Sequence, residues 1–238
     1  NMEVINFEVV RILTIAFAAF ALTMALTPWW TGFLYKHRLG KQIRAEGTPV
    51  FTAMHKSKEG TPTMGGVLIW LAVAVLILAL ALINRLFPDG VVAQFNFLSR
   101  SQTLLPLGLM VFAAIIGAID DLLGIWKIGP NGGGLKMRHR LLFYTLVSIV
   151  GALWFYYKLD WDVVKIPFLG VFNIGIWFIP FAIFIMVATS FSINETDGLD
   201  GLAGGVMLTA FAGYGVVAFF SGKYELAIFC GAVVGALL

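Results

Sequence analysis

The sequence has few of the residues on which small secreted domains and zinc proteins depend. It contains one cysteine, Cys230, so a disulfide framework is excluded. Its three histidines, His37, His55 and His139, occur in no paired spacing, which argues against a zinc site. Charged residues make up only 12% of the chain, about half of the share typical of soluble domains. A soluble enzyme is therefore excluded as well.

Apolar residues are correspondingly abundant, at 60% of the 238 positions, and the mean hydropathy is +0.91. A membrane-spanning helix needs about 20 apolar residues, and seven stretches are candidates, the last of them cut short inside a helix. They lie near 7–34, 64–87, 101–119, 141–158, 175–193, 199–220 and 225–238. The sequence therefore predicts an all-α, polytopic integral membrane protein with seven visible transmembrane helices and no separate soluble domain. Since residue 1 is not Met and the last stretch ends without a following charge, we expect a fragment of a longer protein.

The distribution of basic residues predicts the orientation. Loops 35–63 and 120–140, which fall on one side of the membrane, carry ten lysines and arginines, whereas the loops of the other side carry five. Because cytoplasmic loops are enriched in these residues, we predict that the first side is cytoplasmic and that the N-terminus lies outside. Trp29, Trp30 and Trp126, near span ends, are predicted to form part of an aromatic belt.

Four aspartates lie at span ends on the predicted cytoplasmic side. Asp120 and Asp121 follow the third stretch, and Asp197 and Asp200 lie at the start of the sixth. A carboxylate at the bilayer centre costs about 2.5–3.5 kcal/mol or more, so we expect the four to meet at the interface or in a wet cleft. Alternatively, Asp197 caps the sixth helix, with Asp200 in its first turn. Capping does not explain Asp120 and Asp121, because acids at a helix C-terminus oppose the helix dipole.

A cluster of carboxylates requires a cation or protons, since two like charges 4 Å apart repel by about 4 kcal/mol at an effective dielectric of 20. Oxygen ligands beside a phosphate substrate favour Mg²⁺. Gly198, Gly201, Gly204 and Gly205 would let backbone N–H groups approach an anion, although glycines are also common where membrane helices pack. The basic residues of the loops could equally set the orientation of the protein in the membrane and attract anionic lipids. The acids and the basic face together suggest a membrane-embedded phosphoryl-transfer enzyme.

Four motifs carry a more specific signal. They are HKSKEGTPTMGG (residues 55–66), GAIDD (117–121), GLKMRHR (134–140) and NETDGLDGLAGG (194–205). Their order and spacing resemble those of the bacterial phospho-N-acetylmuramoyl-pentapeptide transferases, the lipid I synthases. These enzymes form one branch of the polyprenyl-phosphate N-acetylhexosamine-1-phosphate transferase superfamily, glycosyltransferase family 4. The TPTMGG string is specific to the muramoyl branch, whereas the DD and DGLDGL strings are shared across the superfamily.

The resemblance implies a ten-helix fold in the bacterial inner (plasma) membrane, with the active site facing the cytoplasm. Residues 1–238 would form a single transmembrane catalytic domain that is incomplete at its C-terminus. The implied reaction transfers phospho-N-acetylmuramoyl-pentapeptide from its UDP carrier to undecaprenyl phosphate, with Mg²⁺, and yields lipid I and UMP for peptidoglycan synthesis. Its partners would be these two substrates, the lipid bilayer and a second copy in a homodimer, with no nucleic acid.

The resemblance also assigns roles to individual residues. Asp120 and Asp121 match paired acids that serve the lipid phosphate, and Asp197 matches the catalytic or metal-proximal acid; all three are candidate metal ligands. The remaining matches are substrate-binding positions. Lys58 matches a nucleotide-side lysine, Thr63 the second threonine of TPTMGG, and Asn194 a polar contact. Gly198, Leu199 and Asp200 match the segment that lines the uridine pocket, and Arg138 and Arg140 match two basic loop positions.

The sequence departs from the family pattern at three points. Phe191 stands where the family usually has Asn, and Arg140 replaces a lysine, which is not a neutral change at a tight phosphate site. A later acid and a triple-histidine loop would lie beyond Leu238, so we expect this fragment alone to be inactive.

Two other functions stay open, a related transferase that takes UDP-N-acetylglucosamine or a similar sugar, and an ion-coupled transporter. Direct transfer and a covalent two-step mechanism are also both open.

Overall fold

The computed structural model describes residues 2–40, 61–99, 102–129, 134–166 and 168–238. Within these ranges six helices are long and apolar enough to cross a membrane, and strands are confined to one short hairpin. The prediction of an all-α polytopic membrane protein is therefore confirmed. In chain order the helices are α1 Met2–Lys36, α2 Gly66–Leu86, α3 Leu104–Ile125, α4 Met137–Lys158, α5 Phe178–Thr196, α6 Leu202–Phe220 and α7 Tyr224–Leu237.

Each of the seven predicted stretches is a helix, but some bounds and one connection differ from the prediction. Helix α7, with 14 residues, matches the short predicted stretch 225–238 and is shorter than the six candidate spans. Helix α3 continues to Ile125 rather than ending at 119, and α6 begins at Leu202 rather than at 199. The segment between α4 and α5, which the predicted stretches leave unassigned, forms an antiparallel hairpin of β1 Val163–Ile166 and β2 Gly170–Asn173.

The chain divides into two compact units, residues 1–135 with 204–238, and residues 136–203. In the first unit, buried side chains of α1, α2 and α7 form the core together with Phe97, which follows a short 3₁₀ helix, Val91–Phe95. Helices α1 and α7 approach closely because α7 presents Gly231 and Gly235 to Ile12 and Ala16 of α1. Small residues allow such close contact between membrane helices.

A buried ion pair ties α1 to the segment after α2. The Arg11 guanidinium donates to both carboxylate oxygens of Glu8, at 3.0 and 2.8 Å, and to the backbone carbonyl of Asn96 at 2.9 Å. Both charged residues are more than nine-tenths buried. A buried charge is tolerated when it is paired and hydrogen-bonded, so this pair accounts for two charges within an apolar helix.

In the second unit, α4 packs against α5 around Ala152, Phe178 and Ala182. Val164 of β1 joins the rim of this core, which fixes the hairpin to the ends of the two helices. Many large apolar side chains on both helices are nevertheless exposed, among them Leu146 and Phe184. Exposed apolar faces of this size are expected where the surrounding solvent is lipid.

Candidate functional site

The first motif contributes the segment 61–66, which lies against the end of α1. The Thr63 N–H donates to the Leu39 carbonyl at 3.0 Å, and Gly40 forms an isolated antiparallel bridge with Pro62. Helix α1 ends at Lys36, and Arg38 beyond it is in the left-handed region, at φ 53°, a conformation common just past a helix end. This turn directs Leu39 and Gly40 toward the segment, so the backbone of half-buried Thr63 is held in place.

A second contact to this segment comes from Trp30, which the sequence placed only in an aromatic belt. Its indole Nε1–H donates to the Met64 carbonyl at 3.2 Å, and its ring stacks on Phe33 with centroids 5.4 Å apart. Met64 itself has φ 70°, an uncommon conformation for a residue with a side chain. Trp29 and Trp126 are exposed near helix ends, as a belt requires. Neighbouring tryptophans give no sequence signal that one of them bonds 34 residues away.

We predict that Trp30→Phe lowers the free energy of unfolding by about 1 kcal/mol, because the ring stack can persist while the hydrogen bond to Met64 is lost. Denaturation of the full-length protein in mixed micelles measures this difference. Trp29→Phe is the matched control, because Trp29 is exposed, and it should change stability by less than about 0.5 kcal/mol. Equal losses in the two variants would contradict a bond specific to Trp30.

The paired acids Asp120 and Asp121 lie within the last two turns of α3, and both are half-buried. The helix ends where the Ile128 N–H reaches back to the Leu123 carbonyl at 2.9 Å, with Lys127 at φ 58°. Negative charge near a helix C-terminus opposes the helix dipole. The helix dipole therefore gives no stability reason for two adjacent acids at this position.

The chain after α3 folds back onto Asp120 and joins two of the four motifs. The Leu135 N–H donates to Asp120 Oδ1 at 2.6 Å, and the Gly134 N–H donates to the Ile128 carbonyl at 3.0 Å. A Cβ on Gly129 would overlap the Gly134 carbonyl, so the two glycines permit this close return. GAIDD and the start of GLKMRHR are thus neighbours in space, and the Asp120 carboxylate is oriented by a backbone donor.

The fourth motif forms the turn between α5 and α6. Asp197 is the C-cap of α5, the Gly198 N–H donates to the Thr196 carbonyl at 2.8 Å, and Gly201 has φ 78°. The helix that follows begins only at Leu202. The alternative that Asp197 caps this helix, with Asp200 in its first turn, is therefore wrong. Asp197 instead stands at a C-terminus, where the dipole disfavours it.

The other predicted site residues lie near these turns. Gly198, Leu199 and Asp200 are exposed, and the Leu202 N–H closes their turn on the Leu199 carbonyl at 3.1 Å. Asn194 lies in the last turn of α5, where its Nδ2 lies 3.4 Å from Glu195 Oε1.

At the start of α4, Arg138 is exposed and Arg140 is half-buried. Phe191, the departure from the family pattern, is half-buried on α5. Lys58 lies outside the described residues.

The donor set can be compared with what a metal needs. Within the described ranges, no three His, Cys, Asp or Glu side chains form a group that could hold a metal ion. Asp120 and Asp121 lie in the first unit, whereas Asp197 and Asp200 lie in the second. The meeting of all four therefore stays a prediction. Mg²⁺ usually takes one or two protein carboxylates and completes its octahedron with water and substrate phosphate, so the half-buried Asp120–Asp121 pair fits it in donor chemistry.

Comparison with known proteins gives matches along nearly the whole chain. Residues 103–238 match the model of glycosyl transferase family 4, and residues 58–69 match phospho-N-acetylmuramoyl-pentapeptide-transferase signature 1. Proteins named phospho-N-acetylmuramoyl-pentapeptide-transferase are similar to it. The one from Chloroflexus aggregans is 40% identical over 96% of this chain and 59% of its own length. Those from Lactiplantibacillus plantarum and Clostridium novyi are 33% and 34% identical, over 93% and 92% of this chain and 63% and 62% of their own lengths.

Proposed function

This chain belongs to glycosyl transferase family 4, and on that premise we propose that it is part of a phospho-N-acetylmuramoyl-pentapeptide transferase. The observation that carries the proposal is the signature match at residues 58–69. It separates the muramoyl branch from relatives that share only the acidic motifs. The chain spans 59–63% of the length of the relatives described above, so the activity proposed is that of the complete protein.

The proposed reaction is an in-line displacement at phosphorus. An oxygen of undecaprenyl phosphate attacks the β-phosphorus of UDP-N-acetylmuramoyl-pentapeptide and forms a new P–O bond. The bond from that phosphorus to the bridging oxygen breaks, and UMP leaves with its electron pair. The products are lipid I and UMP.

We assign the acids mainly to binding and positioning rather than to proton removal. A phosphate monoester has its second pKa near 6, so the attacking oxygen is already largely ionised at pH 7 and offers a base little to remove. Asp120 and Asp121 would hold Mg²⁺, which when bound supplies charge neutralisation for the diphosphate and the leaving group. The Leu135 N–H bond to Asp120 supports this role, because it orients the carboxylate before a substrate arrives.

Asp197 is proposed to act beside that pair, and the exposed turn of Gly198, Leu199 and Asp200 to bind the uridine. Arg138 and Arg140 would contact phosphate, and Thr63, Asn194 and Lys58 would contact the nucleotide sugar. The excess of basic loop residues supports a cytoplasmic site in a bacterial plasma membrane. Isolation of a phosphorylated aspartate from the full-length enzyme and UDP-sugar without lipid would overturn the direct mechanism.

Mass-spectrometric detection of lipid I tests the proposed function. The complete protein is incubated with UDP-N-acetylmuramoyl-pentapeptide, undecaprenyl phosphate and Mg²⁺ in detergent micelles. We expect a product whose mass is that of lipid I, together with UMP. If product forms only when UDP-N-acetylglucosamine replaces the muramoyl substrate, the chain belongs to another branch of the family. Absence of product with every UDP-sugar would remove the proposal.

For Lys58 we predict that Lys58→Ala in the complete protein raises KM for the nucleotide sugar about tenfold, as expected for one lost charge-assisted hydrogen bond. KM for the lipid phosphate should change much less. Steady-state kinetics with each substrate varied in turn measure both constants. Lys223→Ala, at the exposed start of α7, is the control and should change neither. Equal increases in both KM values would remove the assigned role.

A further inference from the structure

The hairpin of β1 and β2 carries an apolar tip that is largely exposed. Phe168 is completely exposed, with 106% of its reference area accessible, and Leu169 is 71% exposed. Val171 and Phe172 on β2 are also exposed. Exposed large apolar groups that are contiguous mark a surface that contacts another apolar phase or a partner.

The turn chemistry makes the aromatic tip more unusual. The Leu169 N–H donates to the Ile166 carbonyl at 3.2 Å, and Phe168 and Leu169 lie in a turn. Phe168 has φ 67°. Glycine or asparagine is favoured there, because other side chains disfavour the left-handed region. Neither folding nor solubility in water gives a reason to place an exposed phenylalanine at this position.

The base of the hairpin, in contrast, is polar and hydrogen-bonded. Asn173 Nδ2 donates to Asp162 Oδ2 at 2.9 Å, and the N–H groups of Ile174 and Gly175 donate to the Asp162 backbone carbonyl at 2.9 and 3.1 Å. Trp161 stacks on Phe155 of α4 with centroids 5.0 Å apart. The hairpin is therefore fixed to the ends of α4 and α5, and its tip is presented in a defined direction.

The apolar surface of the hairpin is continuous along the chain with a surface that faces lipid. Exposed apolar or aromatic residues recur along one side of the spanning helix α4 and end next to the hairpin; they are Leu142, Leu146, Val150, Leu153 and Tyr157. Trp161 and Trp177, both exposed, flank the hairpin. Tryptophan and tyrosine are enriched at the membrane interface, so Trp161 and Trp177 mark the hairpin as lying at the level of that interface.

The scarcity of charged residues favours the bilayer, rather than a protein partner, as the phase that the hairpin tip contacts. From 163 to 194 the sequence contains a single charged residue, Lys165. A lysine can bury its stem in an apolar environment and keep its ammonium among lipid phosphates. A rim of mixed polar residues, which typically surrounds a protein interface, is absent from the tip segment 168–172, a described stretch of Phe, Leu, Gly, Val and Phe.

We propose that the hairpin is a lipid anchor whose tip, Phe168 and Leu169, inserts into the interfacial region of the bilayer on the side where α4 ends. Insertion removes the two side chains from water and places Lys165 among the headgroups. The hairpin would thereby hold the connected ends of α4 and α5 at a fixed depth in the membrane. This inference does not depend on the proposed catalytic function.

The experiment uses the complete protein in vesicles of phosphatidylethanolamine and phosphatidylglycerol. Cys230→Ala, with any further cysteine removed, provides the background for Phe168→Cys, which is then labelled with an environment-sensitive fluorophore. Since Phe168 is fully exposed, this substitution should not disturb the fold. We expect blue-shifted emission that is largely quenched by lipids carrying a nitroxide near the headgroup, and little quenched by aqueous iodide.

Ser221→Cys is the matched control, because the exposed turn between α6 and α7 emerges on the same membrane side by the alternation of spans. Its label should be quenched by iodide more strongly than the label at 168, and by nitroxide less strongly. Iodide quenching at 168 equal to that at 221 would place the tip in water and overturn the proposal. Protection from both quenchers would show a protein covering the tip, and would overturn it equally.

Discussion

Asp197→Asn in the full-length protein is expected to abolish UMP release, a loss of about 10²-fold or more, while the protein remains folded. The substitution keeps the shape of the side chain and removes its charge. Loss of one preorganised group that stabilises charge in a transition state typically lowers the rate by about 10² to 10³. The structure strengthens this expectation, because Asp197 sits at the C-terminus of α5, where a negative charge is disfavoured, and does not cap α6.

Asp160→Asn is the matched control for this experiment. Asp160 is also exposed and also follows a helix end, that of α4, at the opposite end of that helix from Arg138 and Arg140. Its φ of 51° suits asparagine at least as well as aspartate. We expect normal UMP release from this variant. Turnover like that of the natural protein in Asp197→Asn, or equal losses in both variants, would remove the catalytic role.

Gly235→Val is expected to give the largest loss of stability, at the upper end of the 1–3 kcal/mol usual for overpacked cores or above it. A Cβ at Gly235 would overlap the backbone carbonyl of Ala16 on α1. Backbone cannot rotate away as a side chain can, so α7 would have to move off α1. The midpoint of thermal unfolding in detergent, with the yield of monodisperse protein, measures the effect.

Gly213→Ala tests whether the loss is specific to the contact. Gly213 lies within α6, and a Cβ there meets nothing within 4 Å. Alanine favours a helix by up to about 1 kcal/mol relative to glycine, so this variant should unfold at the same temperature or slightly higher. An unchanged midpoint for Gly235→Val would show that the α1–α7 contact is not as close as described.

The spans, the all-α class and the four motifs could be predicted from the sequence. Lipid selects a helix wherever about 20 apolar residues follow one another, and this is a property of local composition. The family resemblance rested on contiguous strings such as TPTMGG, which are equally local. The aspartates could be recognised for the same reason, since charges at the ends of apolar stretches are conspicuous.

The tertiary structure decided how these pieces are held. The bond from Leu135 to Asp120, the bond from Trp30 to Met64 and the aromatic tip of the hairpin leave no periodic pattern in the sequence. The first two join residues 15 and 34 positions apart, through a backbone donor and a backbone acceptor that every residue other than proline possesses. The end of α3 at Ile125 and the start of α6 at Leu202 likewise depend on turns in which Lys127 and Gly201 adopt the left-handed backbone conformation. Which backbone groups pair, and therefore how Asp120 is oriented and why Asp197 caps no following helix, is decided by the path of the chain in space.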